Sequence, residues 1–305
     1  MSGLSYIKKI LCACLCVVAV ACNKSSTAPN ENDKPDKTAN TSAAIRKYAV
    51  RFSLGDIDVS DGRTANREMP VRNYLHYLSY RAYDSTGRLI SKIVQDSILA
   101  YAGPDFGVIN DSLPVGDYTI VVVGAQYYSV EFYDDTLLSR FNLFTRHEDV
   151  CLKKFNITVS EHDSIAAPIK LERITGVLEI NLKDTLHPEV KMEKVYVDST
   201  YLHMQIATGE LQSSITDFFP SWGSLAYPYS FSIGYLGSNT THTVTIVGCD
   251  INEQPVAQRV ITGVYIYPNR KTILTGRLFD TSDTGGKNAG SLWVDKRTGS
   301  INQKF

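Results

Sequence analysis

Residues 113–125 read LPVGDYTIVVVGA, a turn that leads directly into a strand. Pro114 and Gly116 are residues that make tight turns. The β-branched run at residues 120–123 then has no polar interruption, which is typical of a strand buried inside a sheet protein. This stretch therefore predicts a β-sheet fold with a hydrophobic core.

The same pattern continues on both sides of this stretch. Short runs of alternating apolar residues are separated by Gly, Asn, Asp and Pro, and the chain contains 18 tyrosines. Because no long helical period occurs, the sequence predicts an all-β body. The clearest predicted strands cover residues 48–59, 74–83, 89–94, 117–125, 150–159, 164–171, 174–182, 190–197, 202–207, 229–235, 242–249, 256–267 and 271–279.

The strand pattern restarts near residues 172–173, after the sequence PIKL. This divides the body into residues 46–172 and 173–280, each long enough for one domain. Two β-sandwiches in tandem are the simplest interpretation of the strand spacing. One continuous, elongated sandwich is the alternative, because no Pro/Gly-rich linker marks the joint.

The first 45 residues predict an export signal and a tether. Lys8 and Lys9 precede an apolar run at residues 10–21, which is too short to span a bilayer but matches the core of a secretory signal. The run ends in AVAC at residues 19–22, which resembles the lipobox of bacterial lipoproteins. We expect residues 1–21 to be removed and Cys22 to carry lipid that anchors the protein in the outer membrane, with the cell surface as the expected location; the leaflet stays open. An ordinary cleavage site, with Cys22 as one more small apolar residue, is the alternative. Residues 22–45 are expected to form a disordered tether, because residues 23–41 contain no large aliphatic or aromatic side chain.

Composition and motifs exclude several classes of function. The formal net charge of −1 provides no field that would attract nucleic acid. The sequence contains no nucleophile elbow, zinc-binding His pair, phosphate-binding Gly loop or calcium loop, so we predict no enzyme activity, cofactor or metal. Asp134 and Asp135 adjoin each other and are interpreted as a solvated loop pair rather than as the acid and base of a glycosidase.

Two cysteines lie in the body, Cys151 and Cys249. Each is expected to be a small buried apolar residue, with a disulfide between the two halves as the alternative.

An aromatic cluster begins with FFPSW at residues 218–222. Alternation from Tyr227 to Tyr235 places those rings on one strand face, which favours core packing. Trp222, beside Pro220 and Gly223, is expected in an exposed loop. Trp222 and Tyr227 are therefore the candidate ligand aromatics of an alternative function, that of a surface glycan-binding lipoprotein.

Three segments, in this order, resemble the fimbrillin-like lipoproteins of Bacteroidales, the subunits and membrane anchors of fimbriae. They are LPVGDYTIVVVGA at residues 113–125, KLERITGVLEI at 170–180 and PNRKTILTGRLF at 268–279. The resemblance implies two transthyretin-like, Greek-key β-sandwich domains and no catalysis. It also implies a structural or adhesive role in a fimbrium (pilus), with other fimbrial subunits as partners and a host protein or glycan as a further partner.

In this family, polymerisation resembles strand exchange: an Arg-specific protease removes the first strand, and a segment of another subunit fills the groove. Here the first strand would be residues 48–59, and Arg63 and Arg67 in the following loop are the candidate cleavage sites. Ordinary solvated loop arginines are the alternative.

The C-terminal residues 281–305 form an expected flexible tail. Within it, Leu292, Trp293 and Val294 follow a Gly-rich stretch and are the candidate donor strand. The alternatives are a disordered tail and a strand that docks on its own domain. Family anchors keep the first strand and the lipid, whereas stalk subunits lose both, and the sequence leaves both classes open.

Overall fold

The computed structural model describes residues 45–59, 67–97, 105–127, 130–162, 164–183, 187–222, 229–279, 292–295 and 300–304. The expected signal peptide, Cys22 and the tether lie outside this part of the chain, as do Arg63 and Tyr227. The regular secondary structure of the described part is almost entirely β-strand, which confirms the all-β prediction.

The strands are numbered in chain order. They are β1 Lys47–Leu54, β2 Ile57–Val59, β3 Arg67–Met69, β4 Tyr77–Asp84, β5 Leu89–Asp96, β6 Val108–Pro114, β7 Gly116–Ala125, β8 Glu131–Tyr133, β9 Asn142–Phe144, β10 Val150–Val159, β11 Ile165–Ile169, β12 Glu172–Arg173, β13 Thr175–Leu182, β14 Met192–Gln205, β15 Leu211–Trp222, β16 Tyr229–Leu236, β17 Thr241–Cys249, β18 Pro255–Tyr265, β19 Lys271–Gly276, β20 Leu292–Asp295 and β21 Ser300–Lys304. A short helix, α1, spans Val71–Tyr74, and a 3₁₀ turn spans Leu138–Arg140.

Two pairs of sheets enclose separate cores. In the first half of the body, the sheets β11-β1-β6 and β12-β10-β7-β4-β5 contribute to one cluster of buried residues that includes Phe52, Ile109 and Ile120. In the second half, β16-β13-β19 and β18-β17-β14 contribute to another cluster that includes Ile180 and Ile246. Each half therefore has the layered arrangement of a β-sandwich.

Strand β7, which contains the apolar run at residues 120–123, is buried on both faces. Ile120 and Val122 point into the first core, whereas Val121 and Val123 belong to a third cluster of buried residues. Successive side chains of a strand point to opposite faces, so an uninterrupted apolar run requires a core on each side. The prediction of a buried strand is confirmed, and its second face leads to the joint between the halves.

The third core is shared by the two halves of the chain. The hairpin β8–β9, which we call the crossing hairpin (residues 130–144), belongs to the first half by sequence but pairs with β14 of the second. Phe141 and Leu143 of the crossing hairpin are buried together with Val121 of the first half and Met204 of the second. A packed joint of this kind agrees with the absence of a linker, while the domain division near residues 172–173 stays a prediction.

Several strand predictions need correction. The predicted strand 48–59 is two strands, β1 and β2, and the predicted strands 190–197 and 202–207 are the single strand β14, whose pairing with β15 shifts between Val197 and Thr200. The strands β6, β8, β9 and β15 were not predicted, because their apolar residues are sparse or lie beside prolines and charged residues.

Cys151 and Cys249 are free and buried, as expected of small apolar residues, and they do not pair. Within the described ranges, no helix has the length and apolar character that crossing a membrane requires.

Candidate binding site

The crossing hairpin is held on the first half by a buried ion pair. Arg81 on β4 is fully buried, and its Nε and Nη2 atoms donate to Oδ2 of Asp135 at 3.0 and 2.9 Å. Lys92 donates to the same oxygen at 2.8 Å. Asp135 is therefore not a solvated loop residue, which corrects that interpretation, whereas its neighbour Asp134 is exposed.

Aromatic rings complete the environment of this ion pair. The Arg81 guanidinium lies 4.0 Å from the ring centre of Phe132 and 4.7 Å from that of Phe141, both in the crossing hairpin. Burial acts to raise the pKa of Asp135, but hydrogen bonds from Lys92 and Arg81 outweigh it and leave that pKa lowered. The carboxylate therefore stays ionised and orders the hairpin.

A second segment, residues 145–149, which we call the strap, continues from the crossing hairpin toward the second half. The amide of Thr145 donates to the carbonyl of Leu202 at 3.0 Å, and His147 forms an isolated β-bridge with Gly234 on β16. A Cβ atom at residue 234 would lie 3.1 Å from the carbonyl oxygen of Glu148, so the close approach of the strap favours glycine there.

The strap is anchored to β15 by a buried carboxylate. The side chain of Asp217 is fully buried; its Oδ1 accepts a hydrogen bond from Nη2 of Arg146 at 3.0 Å, and its Oδ2 contacts Nε2 of His147. Burial acts to raise the pKa of Asp217, but hydrogen bonds and charge interactions with His147 and Arg146 lower it overall. The His147 ring stands edge-on against the rings of Phe219 and Tyr235. Asp217 thus fixes two strap side chains against β15 and β16.

The far end of the strap connects the two halves. Asp149 accepts hydrogen bonds from Tyr74 of α1, from Nε of Arg173 on β12 and from the hydroxyl of Thr175 on β13. Arg173 is buried, so this carboxylate satisfies a cation that has little access to water. The cluster is structural, because three elements meet at it.

A shallow, open surface depression with a volume of about 650 Å³ lies beside the strap, and we call it the strap pocket. Its volume is within the range typical of ligand sites. Its lining side chains are half-buried or exposed and therefore reachable from solvent. They are Glu131, Phe144, Arg146, His147, Phe218, Phe219 and Pro220.

The structure gathers few of the sequence-predicted site residues. Trp222 ends β15 with its backbone opposite Met192, rather than in the predicted loop, and Tyr227 lies outside the described residues. Arg67 begins β3 and pairs with Val59. Leu292, Trp293 and Val294 form β20, which pairs with β21 of the same chain.

The sequence did not indicate Arg146 and His147, because their partner Asp217 lies about 70 residues away and no local spacing marks the contact. Phe218 and Phe219 were part of the recognised aromatic cluster, but were assigned to core packing. Among the residues that the structure describes, no group of three or more His, Cys, Asp and Glu side chains could hold a metal ion.

No family model and no curated protein sequence matches the chain. Solved structures do match. A candidate adhesin from Bacteroides ovatus superposes with a TM-score of 0.51 at 10% identity, over 71% of this chain and 83% of that one. A candidate polysaccharide-binding protein from Bacteroides thetaiotaomicron superposes with a TM-score of 0.51 at 11% identity, over 84% and 90%. The fimbrial anchor protein Mfa2 from Porphyromonas gingivalis matches with a TM-score of 0.46 at 14% identity, over 70% and 82%.

At these identities the similarity concerns the fold. The chain shares its fold with proteins of Bacteroides that are described as a candidate adhesin and a candidate polysaccharide-binding protein. This agrees with the β-sandwich fold that the resemblance to fimbrillin-like proteins implies.

Proposed function

We propose that this protein is a structural or adhesive fimbrial component, or the anchor that holds a fimbrium to the outer membrane through lipid on Cys22. It performs no catalysis, and it joins other fimbrial subunits by β-strand complementation. The fold shared with a candidate adhesin from Bacteroides ovatus supports the adhesive part of the proposal. The position of β1 supports the strand complementation.

Strand β1 lies in the middle of its sheet. It pairs antiparallel with β6 over residues 47–53 and parallel with β11 over residues 50–54. Val50 and Phe52 on its inward face are buried in the first core. Removing β1 would leave two strand edges without partners and a gap in the core, since unpaired strand edges readily accept another strand.

The incoming segment must meet two requirements. Its backbone must be extended, so that it can pair with β6 and β11. Its side chains must be apolar at alternate positions, because Tyr48, Val50, Phe52 and Leu54 fill the inward face of β1. A neighbouring subunit that offers such a segment would replace β1 without changing the rest of the sheet.

Of the two candidate cleavage sites, Arg67 is disfavoured by its pairing, and we therefore propose Arg63. The backbone of Arg67 is already paired with Val59 in the β2–β3 hairpin, whereas a protease needs an unpaired, extended segment. Lys170 reinforces this hairpin by contacting Asp58 at 2.9 Å and Glu68 at 3.3 Å, one on each strand.

The candidate donor strand can pair with another subunit only after it separates from its own chain. The backbone of β20 pairs with β21, and β21 pairs in parallel with β19, so both extend a sheet of their own chain. Acting as a donor for another subunit would require Leu292, Trp293 and Val294 to leave β21.

Mass spectrometry of the protein isolated from native cells tests the proposal. An acylated N-terminus at Cys22 would identify an anchor, and a start at Thr64 or Glu68 would identify a processed subunit. An N-terminus that is neither acylated at Cys22 nor generated at an arginine would contradict both forms of the proposal.

Substitution separates the two arginines. We expect Arg63→Lys to abolish cleavage by an Arg-specific protease and Arg67→Lys to leave it unchanged. Size-exclusion chromatography of the cleaved protein then tests strand exchange. Ordered oligomers with fimbrial subunits are expected, and a persistent monomer would contradict strand exchange.

A surface glycan-binding role is the second candidate function. The observation that favours it is the strap pocket with its aromatic lining. One protein with this fold is itself named as a candidate polysaccharide-binding protein.

A further inference from the structure

The strap pocket combines two rigid aromatic walls. The ring of Phe218 stacks on Tyr196 at 5.1 Å between centres, and the ring of Phe144 packs against His203 at 5.0 Å. Neighbouring rings therefore hold both phenylalanines in place. Little side-chain entropy remains to be lost when a ligand covers them.

A positively charged side chain, Arg146, and a negatively charged one, Glu131, both line the strap pocket. Arg146 keeps about half of its side chain exposed, although Asp217 holds one end of its guanidinium. Glu131 is exposed at the start of β8, where its carboxylate accepts a hydrogen bond from Tyr133. The pocket thus offers guanidinium donors and carboxylate acceptors around an aromatic surface.

Asp217 orients the Arg146 side chain before any ligand binds. A buried carboxylate that engages both Arg146 and His147 sets the direction of the strap side chains before any ligand arrives. The backbone of His147 has a φ of 59°, a left-handed conformation that is uncommon for a residue other than glycine. Such a conformation persists only where surrounding contacts impose it.

We propose that the strap pocket binds a neutral saccharide. A sugar ring presents apolar C–H faces, which suit Phe144 and Phe218, and hydroxyl groups that both donate and accept hydrogen bonds, which suit Arg146 and Glu131. The same residues disfavour the other ligand classes. Glu131 would repel an anion, since the charge of Arg146 is already paired with the Asp217 carboxylate, and an apolar ligand would remove water from two charged groups without replacing its hydrogen bonds.

The proposal rests on the second candidate function, glycan binding, and does not depend on the proposed fimbrial role. Pocket residues belong to β8, β9, β15 and the strap, none of which takes part in the pairing of β1. Loss of saccharide binding can therefore be measured in a protein that still assembles. Loss of assembly can likewise be measured in a protein that still binds the saccharide.

Binding is tested with the purified full-length protein on an array of mannose-, glucose- and galactose-terminated oligosaccharides, with sialylated and uronate-terminated oligosaccharides as the acidic set. A bound member is then titrated by calorimetry. We expect Phe218→Ala and Arg146→Gln each to weaken binding at least tenfold. Glu131→Gln, at an exposed position where folding is not at risk, should weaken it severalfold.

Two control variants make the same kinds of substitution at residues outside the pocket. Tyr127→Ala removes an exposed aromatic ring, and Glu172→Gln neutralises an exposed carboxylate. Both should bind as the unchanged protein does. Failure to bind any neutral saccharide, binding of the acidic set alone, or equal binding by the pocket and control variants would overturn the proposal.

Discussion

Replacing Asp135 with asparagine tests whether the buried ion pair holds the crossing hairpin on the first half. Arg81 has no exposed surface and directs two hydrogen bonds at Asp135, so the substitution leaves a buried cation without its counter-charge. Removing one partner of a buried pair costs about 3–5 kcal/mol. Because Asp135 retains some exposure and the amide oxygen of asparagine still accepts one hydrogen bond, we expect a loss of about 2–3 kcal/mol in the free energy of unfolding.

The adjacent residue provides a matched control. Asp134 pairs with Arg140 at 3.6 Å, and both side chains are largely exposed, so Asp134→Asn should cost less than about 1 kcal/mol. Asparagine also tolerates the left-handed backbone of residue 134, whose φ is 50°.

Urea unfolding followed by tyrosine fluorescence measures both variants, and hydrogen exchange of residues 131–144 reports on the hairpin itself. Adding Arg81→Met to Asp135→Asn should recover part of the loss, because the double variant has no unpaired buried cation. If Asp135→Asn costs no more than Asp134→Asn, or if exchange in the hairpin does not increase, the ion pair does not hold the joint.

Three further predictions concern other parts of the described structure. Gly176→Ala should destabilise the protein by more than 2 kcal/mol in urea unfolding, since its Cβ would collide with a backbone carbonyl oxygen; Gly55→Ala, which meets only an ordinary contact, should stay within about 1 kcal/mol. The lowered pKa of Asp217 means that its ionised form stabilises the fold above the ordinary aspartate pKa of about 3.9, and that this contribution disappears as the pH falls below that value. Asp217→Asn should therefore lower stability at pH 7, and its difference from the unchanged protein should narrow as the pH falls below about 3.9; a difference that stays constant at lower pH would contradict the assignment. Burial raises the pKa of the Cys151 and Cys249 thiols, so peptide mapping after maleimide treatment should find both unmodified in the native protein and both modified in urea; a peptide that links them would contradict the free thiols.

Much of the strand content could be predicted from local pattern alone. Residues 150–159 were predicted as a strand and are β10, and the run at residues 120–123 was predicted to be buried. Both predictions succeeded because alternation and β-branching report directly on which faces are covered. Strands with polar or interrupted sequences, such as β6 and β8, lack that signal, since their partners rather than their own residues keep them extended.

The candidate site was less predictable than the fold. Asp135 was assigned to a solvated pair because it adjoins Asp134 in a predicted loop, yet its partner Arg81 lies 54 residues away along the chain. The aromatic residues at 218–222 were recognised, but their connection with Arg146 was not. A contact between distant segments leaves no local periodicity, so sequence reasoning could name the side chains without bringing them together.

The sequence by itself determined that the chain forms β-strands, that the run after Gly116 is buried, and that Cys151 and Cys249 are core residues. These properties follow from side-chain shape and apolar alternation, which act over a few residues. Only the tertiary structure decided that the first half supplies a hairpin and a strap to the second, and that Asp217 brings Arg146 and His147 to one pocket. The physical reason is that buried charges must find partners wherever the packed sheets place them, and that placement depends on the whole fold.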